Sequence, residues 1–356
     1  MIDPGRTVGE IGERALLQHL RGRIPTGDGV EIGLGDDAAA LRTGPLTLVT
    51  TDALVEDVHF VRRWTPPRLL GRKALSVNLS DIAAMAGVPR YATISLCLPR
   101  DLPSGFVDGL YDGLLERSAQ TGVALVGGNL SATSGPLVID VTLLGQGDRL
   151  LTRGGARPGD RVVLTGALGA AAAGVRLLRQ GARLDEDGRL DDLGVWTASS
   201  SAAVTRCLRA HLDPDPPLAF ARSLAEEEWA HAAMDVSDGL SGDLLAMCLE
   251  SQLTARIQAA CVPVDPAAAQ LERARGGDPF HLALHGGEDY QLLLAVAPER
   301  LEDLRERALV WNLSLRDLGA FEPGEPRVLL CGPKGESVLE PASHEHFRPA
   351  DPGEER

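Results

Sequence analysis

The sequence predicts a two-domain protein of the α/β (α+β) class. Its 356 residues, 44% of them hydrophobic, are enough to bury two cores. Short apolar and β-branched runs alternate with helical segments along the chain. A stretch rich in Gly and Arg, from Gly147 to Asp160, separates the two halves. We therefore predict domains at 1–147 and 148–340, followed by a tail at 341–356 whose charged end is expected to be disordered.

Charge and cysteine usage exclude several classes of protein. The net charge of −15 and the sequence pI of about 5.0 argue against a general binder of nucleic acid or acidic membranes. They are compatible with a site that gathers divalent cations. No run approaches ~20 apolar residues and the amino terminus lacks an apolar signal core, so we expect no membrane segment and no export signal. Five widely spaced cysteines indicate reduced thiols in a cytoplasm rather than zinc or disulfides.

One segment, Gly71–Gly87, reads as a buried helix that carries polar residues. Pro67 near its start and the glycine at its end are typical helix boundaries. Small or apolar residues occupy nearly every face, which predicts burial on all sides. Asn78, Ser80 and Asp81 nevertheless lie in the middle. A buried carboxylate is costly unless it is paired or bound to a metal ion.

The same helix offers a simpler interpretation. Lys73 lies two turns before Asp81 and is one of two lysines in the chain. A buried helix with one satisfied ion pair would account for both residues. The helix alone does not decide between the two interpretations, but further acidic blocks elsewhere in the chain favour a shared site.

The first two acidic blocks precede the helix. Asp36 and Asp37 follow a glycine, in a pattern that is also common in ordinary turns. A predicted strand over 46–51 runs into Asp52, which two threonines precede. A carboxylate at the end of a buried strand suits a ligand, although a helix cap or a turn would look the same. His59, before a phenylalanine, fits a ligand contact or a core histidine equally.

Between the helix and the domain boundary the pattern continues. Tyr111 lies in an amphipathic helix predicted from Pro103 to Thr121 and fits simple packing. A buried strand ends in Gly127-Gly128-Asn129, where two glycines would allow close approach to a phosphate or form a plain turn. Arg153, in the boundary stretch, suits a phosphate clamp or a solvated linker. Further strands are predicted at 91–98 and at 137–145, the latter antiparallel.

The second half contains the last two acidic blocks. A strand at 161–166 and a helix at 169–179 open it, and residues 181–195 read as an exposed irregular loop. Asp235 and Asp238 then lie in a turn between a strand and a helix, without the spacing of an EF-hand. Glu288 lies in a glycine-rich turn before another strand.

Together these blocks indicate a magnesium-dependent enzyme that acts on a phosphorylated substrate. Hard cations, Mg²⁺ above all, choose oxygen ligands and commonly hold nucleotide phosphates. The P-loop, the complete dinucleotide fingerprint, the kinase motifs and the serine-hydrolase elbow are all absent from the sequence. The acidic residues concerned are Asp36, Asp37, Asp52, Asp81, Asp235, Asp238 and Glu288.

The ordered blocks resemble the thiamine-monophosphate kinase family, within the superfamily of aminoimidazole ribonucleotide synthetase. They follow that family's order and spread over most of the chain. The blocks are Gly35-Asp36-Asp37-Ala38-Ala39, Thr50-Thr51-Asp52-Ala53-Leu54-Val55, His59-Phe60, the segment from Lys73 to Met85, Leu151-Thr152-Arg153, the segment from Asp235 to Leu240, and Gly286-Gly287-Glu288-Asp289-Tyr290.

The resemblance implies transfer of the γ-phosphoryl group of ATP to thiamine monophosphate, which gives thiamine diphosphate. It implies an amino-terminal domain that forms an intersubunit β-barrel in a homodimer and a carboxy-terminal α/β domain, with ATP in the cleft. The metal ligands for several Mg²⁺ ions would be Asp37, Thr50, Thr51, Asp52, Asp81, Asn129, Asp235 and Asp238. The catalytic residues among them would be Asp37, Asp52, Asp81 and Asp235. ATP would contact Tyr111, Gly128, Asn129, Arg153 and Ser237, and the thiamine substrate would contact His59, Glu288 and His344.

Two positions depart from the family pattern. Asn129 stands where the family usually has an aspartate, so one metal site would lose a charge. His344 stands where the family often has an aromatic residue near the thiamine. Two alternatives therefore remain open: a superfamily enzyme with another acceptor, and a nucleotide-binding homodimer without catalysis.

Overall fold

The computed structural model describes residues 5–7, 10, 19–20, 22–25, 27–32, 40–43, 46–226 and 228–342. For residues 31, 32, 40, 225 and 226 the main chain alone is described. The predicted site residues Asp37 and His344, together with Asp36, lie outside these ranges.

The amino-terminal half is built on a four-stranded sheet in the order β3, β6, β4, β5, beside a small pair of strands, β1 and β2. Strands β3 and β4 run antiparallel to β6, as the sequence predicts for β6, and β5 runs parallel to β4. The strands are β1 (Val30–Ile32), β2 (Ala40–Leu41), β3 (Thr47–Val55), β4 (Val88–Pro99), β5 (Ala124–Thr133) and β6 (Val138–Gln146).

Helix α1 (Pro67–Ala84) is the predicted buried helix, and 14 of its 18 residues are buried. It lies on one face of the sheet beside α2 (Ser104–Thr121). Two glycines let the helices approach closely. A Cβ at Gly71 would lie 1.9 Å from the Leu110 carbonyl oxygen, and one at Gly113 would lie 1.8 Å from the Arg68 carbonyl oxygen. Any side chain there would force the helices apart.

Strand alternation gives the sheet one covered and one open face. Buried residues such as Ile139, Val141 and Leu143 of β6 face the helices and form the first core. The intervening residues face away, and Val49 of β3 is 66% exposed there. No described element packs over this open face.

The carboxy-terminal half is built on a seven-stranded sheet in the order β10, β12, β7, β13, β11, β14, β15. Its strands, with the separate pair β8 and β9, are β7 (Arg161–Thr165), β8 (Ala182–Leu184), β9 (Leu190–Leu193), β10 (Ala232–Val236), β11 (Thr254–Gln258), β12 (Gln291–Val296), β13 (Leu315–Glu322), β14 (Arg327–Gly332) and β15 (Gly335–Val338). Its helices are α3 (Ala170–Arg179), α4 (Ser201–Leu212), α5 (Leu218–Glu226), α6 (Leu240–Ser251), α7 (Pro266–Ala274), α8 (Pro279–His285) and α9 (Leu301–Leu309).

Both faces of this larger sheet are buried, which explains the continuous apolar runs of β7 and β12. Leu292 and Leu294 point into one core, whereas Leu293 points into the other. Ala83 and Ala84, at the end of α1, belong to the core that contains Leu292 and Leu294. Helix α1 therefore packs on both halves of the molecule and fixes them relative to one another.

Three local expectations are wrong. Asp52 lies inside β3 rather than at its end, because β3 pairs with β6 over nine residues, up to Val55. Gly128 and Asn129 lie within β5 rather than in a turn, because β5 pairs with β4 as far as Thr133. Residues 181–195 contain the hairpin of β8 and β9, whose Ala182 and Leu184 reach the core around α3 and α4.

None of the helices in the described ranges is long and apolar enough to cross a membrane. All five cysteines are free thiols: Cys97, Cys207, Cys248, Cys261 and Cys331.

Candidate active site

Three predicted carboxylates meet where β3, α1 and β10 come together. The Thr50 hydroxyl donates to Asp81 Oδ2 over 2.5 Å. Asp52, two residues further along the same face of β3, interacts with the Asp81 carboxylate. The Ser80 hydroxyl donates to Asp235 Oδ2 over 2.7 Å, across the two halves of the molecule. We call Asp52, Asp81 and Asp235 the carboxylate group.

The carboxylate group carries more negative charge than its surroundings compensate. Burial, then the charges of Asp81 and Asp235, raise the pKa of Asp52 to about 7. Burial and the Asp81 charge likewise raise the pKa of Asp235 to about 6. Burial also raises the pKa of Asp81, against the hydrogen bond from Thr50 and the charge of Arg153. Clustered carboxylates with raised pKa values are typical of a site that a cation completes.

The turn after β10 is held by a buried aspartate that the sequence analysis missed. Asp243 Oδ2 accepts hydrogen bonds from the main-chain N–H groups of Asp238 and Gly239, over 3.2 and 3.0 Å. Gly239 has φ 127°, which favours glycine. Asp238 is exposed and Ser237 is half-buried. The turn is therefore fixed from behind while its predicted ligand residues face outward.

The glycine-rich turn that carries Glu288 is attached to the turn after β10. The Glu288 N–H donates to the Ser237 carbonyl over 2.7 Å, and the Tyr290 N–H donates to the Val236 carbonyl over 2.9 Å. Both Glu288 and Tyr290 have positive φ values, 64° and 49°. Non-glycine residues in this region are uncommon and cluster at functional sites. Two acidic turns far apart in the sequence thus form one rigid unit.

Glu288 forms a second acidic centre with a lysine and a histidine, and burial together with the Lys73 charge lowers the pKa of that histidine, His211. Lys73 Nζ lies 2.6 Å from Glu288 Oε1, and His211 Nδ1 lies 2.7 Å from Glu288 Oε2. Burial alone would raise the pKa of Glu288, but Lys73 and His211 hold it well below its usual range. The simpler interpretation of α1, an ion pair between Lys73 and Asp81, is wrong, because Lys73 reaches Glu288 in the other half of the molecule. We call Lys73, His211 and Glu288 the charge-paired centre.

Asp289, the next residue, has a structural task. It accepts hydrogen bonds from the N–H groups of Gly169 and Ala171, over 2.7 and 3.4 Å, at the start of α3. It also lines a cavity of about 750 Å³ beside α3 and α4, together with Arg206 and Arg209. The Glu288 turn therefore lies between the charge-paired centre and this cavity.

The structure places two predicted metal ligands on the open face of the sheet. Thr51 alternates with Thr50 and Asp52, and its hydroxyl lies 3.2 Å from the Thr142 hydroxyl. Asn129 lies beside Ser95 in the sheet register and donates to the Ser131 hydroxyl over 3.1 Å. Their side chains do not join the carboxylate group.

The predicted ATP contacts on β5 and α2 have structural tasks as well. A Cβ at Gly128 would lie 2.0 Å from the Ile94 carbonyl oxygen, so strand packing already requires glycine there. Tyr111 is 5% exposed and packs in the first core. Burial raises its pKa to about 12, with Arg23 acting in the opposite direction.

The remaining predicted residues lie around the two centres. Arg153 lies in an exposed turn, and its charge acts on both Asp81 and Asp235. His59 lies just beyond β3, where its Nδ1 accepts a hydrogen bond from the Val55 N–H over 3.0 Å. The role of Asp243 could have been suspected from the sequence, because it is an acidic residue in the first turn of a helix. The roles of Asp289 and His211 could not, because their partners come from other segments.

Within the part of the chain that the structure describes, no three His, Cys, Asp or Glu side chains gather closely enough to hold a metal ion by themselves. The carboxylate group is instead a chain of contacts, from Thr50 and Asp52 through Asp81, with Asp235 acting on it by charge. Mg²⁺ is usually held by one or two carboxylates together with substrate phosphates, so this arrangement fits a metal ion that arrives with a nucleotide.

Comparison with known protein families agrees with the two-part architecture. The domain family AIR synthase related protein, N-terminal domain, matches residues 35–146, and the C-terminal domain of the same name matches residues 157–329. The fold and the acidic site thus define an AIR synthase related protein. An Escherichia coli HypE structure, at 17% identity and a TM-score of 0.71, shares the fold.

Closer relatives narrow the family. The chain is 34% identical to thiamine-monophosphate kinase of Aquifex aeolicus over 95% of this chain and 99% of the relative. It is 30% identical to the Bacillus subtilis enzyme of the same name over 94% and 98%. The chain belongs to the thiamine-monophosphate kinase family.

Solved structures of that family superimpose on the chain. Thiamine-monophosphate kinase from Stenotrophomonas maltophilia gives a TM-score of 0.77 at 33% identity and covers 88% of this chain and 95% of that one. A structure of AaThiL complexed with AMPPCP and TMP gives a TM-score of 0.73 at 30% identity, with 96% and 99% covered.

Proposed function

We propose that this protein transfers the γ-phosphoryl group of ATP to the phosphate of thiamine monophosphate and so forms thiamine diphosphate. The observation that carries the proposal is the carboxylate group, whose excess negative charge requires a cation. The family relatives carry this activity in their names, and the related AaThiL structure holds AMPPCP and TMP together. Both reactants are polyanions, so their approach also requires cations.

We further propose that Asp52, Asp81 and Asp235 hold Mg²⁺ together with the phosphates of ATP. The donor set is all oxygen, and burial together with the charges of neighbouring carboxylates raises the pKa values of Asp52 and Asp235, which supports a cation site here. Bound Mg²⁺ would neutralise charge on the transferred group and align donor and acceptor. Thr50 and Ser80 orient two of the carboxylates through their hydrogen bonds.

The acceptor needs no strong general base, because a phosphate monoester has its second pKa near 6 and is largely ionised at neutral pH. We therefore propose direct in-line transfer without a phosphoenzyme. Arg153, whose charge acts on the carboxylate group, is well placed to contact ATP beside Ser237. The predicted ATP contacts of Tyr111, Gly128 and Asn129 and the predicted metal ligands Asp37 and Asp238 remain part of this proposal. Thr51 and Asn129, whose side chains lie on the open face of the sheet, are not proposed as ligands of this metal ion.

On the acceptor side, we propose that Glu288 and His59 contact thiamine monophosphate, with His344 as a third contact. The Glu288 side chain is 28% exposed although its two oxygens are paired, so part of the side chain remains accessible. The turn that carries it is bonded to the turn of Asp235 through Ser237. Donor and acceptor sites would thus share one rigid support.

We also propose that the protein is a homodimer that joins through the open face of the amino-terminal sheet. Val49, the third residue of β3, is exposed, and no described element covers it. Thr51 and Asn129 lie on the same face, so a second copy would bring protein against them. Light scattering should give the dimer mass for the wild type and a monomer for Val49→Asp. Val195→Asp, at a 74% exposed position elsewhere, should stay dimeric.

The assay that tests the proposed function combines purified protein with ATP, Mg²⁺ and thiamine monophosphate and follows thiamine diphosphate by chromatography. We expect product from the wild type and almost none from Asp52→Asn. Binding of ATP without product would favour the non-catalytic homodimer. Product from a different phosphorylated acceptor alone would favour another superfamily enzyme. The free thiols agree with a reducing compartment, so we place the reaction in the cytoplasm.

A further inference from the structure

Glu288 is held by a set of contacts that the proposed chemistry does not by itself require. Each carboxylate oxygen has its own partner, Lys73 for Oε1 and His211 for Oε2. The Lys73 side chain is 1% exposed and the His211 side chain 6% exposed. A carboxylate with two fixed and buried partners cannot rotate to choose others, so its orientation is set before any ligand arrives.

The partners are themselves anchored. Lys73 extends from α1, which packs on both halves of the molecule. His211 lies in the last turn of α4, and the residue that ends this helix, Asp213, is bonded by Arg72 and Arg117 over 2.8 Å each. Helix α4 is thereby fixed against α1 and α2, and His211 with it. Lys73 comes from a helix of the amino-terminal half and His211 from a helix of the carboxy-terminal half.

Helix α1 also connects this centre to the carboxylate group. Lys73 and Asp81 are eight residues apart, which corresponds to roughly 12 Å along a helix. One end of this segment therefore supports Glu288, and the other supports the carboxylates that face the nucleotide. A change in the position of α1 would disturb both sites together.

We infer that Lys73 and His211 are positioning residues, which keep Glu288 ionised and aimed at the acceptor. The inference rests on the proposed function, because it assigns the exposed part of Glu288 to thiamine monophosphate. Lys73 already neutralises the Glu288 carboxylate. Glu288 therefore acts as an oriented hydrogen-bond acceptor for N–H groups of thiamine monophosphate, such as the amino group of its pyrimidine. The two partners act through Glu288 and touch neither ATP nor the carboxylate group.

The test compares Michaelis constants for the two substrates. Lys73→Met removes the charge at similar length. We expect its KM for thiamine monophosphate to rise about tenfold or more, as for a lost hydrogen bond to a charged group, while its KM for ATP changes less than about twofold. In a Glu288→Gln background the same substitution should add less than about threefold, because residues that act as a unit are not additive.

His211 provides a second, milder pair of variants. Asn can place an amide N–H near the position of Nδ1, whereas Leu cannot. We expect His211→Asn to retain most of the acceptor affinity and His211→Leu to lose it. Arg161→Met, which removes a salt bridge with Asp317 in the carboxy-terminal sheet, is the control and should leave both KM values unchanged. If Lys73→Met does not fold, the His211 pair decides the test.

Equal rises in both KM values, a fall in kcat alone, or effects that multiply in the Glu288→Gln background would overturn the inference. So would equal acceptor affinities for His211→Asn and His211→Leu. Failure of the proposed function looks different, since the wild type itself would then form no thiamine diphosphate, and the inference would fall with it.

Discussion

Helix α1 contributes one residue to each of two acidic centres, Lys73 to the charge-paired centre and Asp81 to the carboxylate group. The two centres differ in the source of their positive charge. The charge-paired centre contains the Lys73 cation and a hydrogen bond from His211, and the pKa of Glu288 lies well below its usual range. The carboxylate group has hydroxyls, other carboxylates and a distant Arg153. The pKa of Asp52 rises there to about 7.

This difference separates a support from a reaction site. A buried charge pair is complete in the protein alone and fixes a geometry. A group of unneutralised carboxylates costs stability until a ligand supplies cations. We therefore expect substitutions in the two centres to have opposite effects on the protein without metal and different effects on activity.

The largest expected effect is the loss of activity in Asp52→Asn. Without this carboxylate the bound cation would lose a ligand, so kcat/KM should fall on the order of 1,000-fold. The control is Asp303→Asn, the same change of side chain at an exposed position in the first turn of α9, and it should retain near-wild-type activity. Steady-state kinetics at saturating Mg²⁺ measures both. Similar rates for Asp52→Asn and the wild type would remove the carboxylate group from the reaction.

A second prediction concerns folding. Lys73→Met leaves the partly exposed Glu288 carboxylate without its cation, and we expect a loss of about 3 kcal/mol in the free energy of unfolding, the lower end for a broken buried pair. The double variant Lys73→Met/Glu288→Gln should recover much of that loss, because the pair is then removed as a whole. Urea denaturation measures the three proteins. An equally destabilised double variant would mean that the pair is not what Lys73 stabilises.

The third prediction concerns the carboxylate group and the pH dependence of stability. Ionisation of these carboxylates should destabilise the protein without metal, whereas the ionised Glu288 stabilises it. The folded-state pKa values of Asp52 and Asp235 lie above the ordinary value of 3.8, so their stabilising contribution is present below that pH. It is lost as the pH rises through about 6 and 7. Without metal, the melting temperature should therefore fall between pH 5 and pH 8 by roughly 2 to 8 °C.

Asp52→Asn should reduce this fall but not abolish it, because the pKa values of Asp235, Asp243 and Asp289 are raised as well. Mg²⁺ should restore stability at pH 8 in the wild type alone. Thermal unfolding with and without Mg²⁺ across this range provides the comparison. A wild-type profile that rises with pH in the absence of metal, or one unchanged in the variant, would show that these carboxylates are not short of positive charge.

The smallest expected effect compares neighbouring threonines on the two faces of β3. Thr50→Val removes the hydrogen bond to Asp81 and should lower kcat/KM about tenfold. Thr51→Val changes a side chain on the open face and should stay within about twofold. Equal losses in both variants would indicate that Thr51 contributes a metal ligand after all.

Local sequence pattern sufficed for α1, for the strands β4, β6, β7 and β12, and for the two acidic turns, because each has strong periodicity or turn residues. Strand ends were less predictable. Whether β3 stops at Asp52 or continues to Val55 depends on its partner β6, and the glycines of β5 look like a turn until Ile94 is seen against Gly128.

The acidic residues of the site could be predicted from the sequence, whereas the side chains that pair with Glu288 could not. Asp52, Asp81 and Asp235 each follow a local pattern, and the structure brings them together. The pairing of Lys73 and His211 with Glu288 joins three distant segments, so no local spacing contains it. Because side chains alternate along a strand, the sequence alone places Thr50 and Thr51 on opposite faces of β3. The resemblance to the family nevertheless led us to predict both residues as metal ligands.

Titration with Mn²⁺ tests the central contrast most directly, with free Mn²⁺ followed by electron paramagnetic resonance in the presence of ATP. The proteins are the wild type, Asp52→Asn and the double variant Lys73→Met/Glu288→Gln. We expect Asp52→Asn to bind Mn²⁺ at least about tenfold more weakly, and the double variant to bind it like the wild type. Unchanged binding by Asp52→Asn, or equal weakening in both variants, would contradict the assignment of the cation site to the carboxylate group.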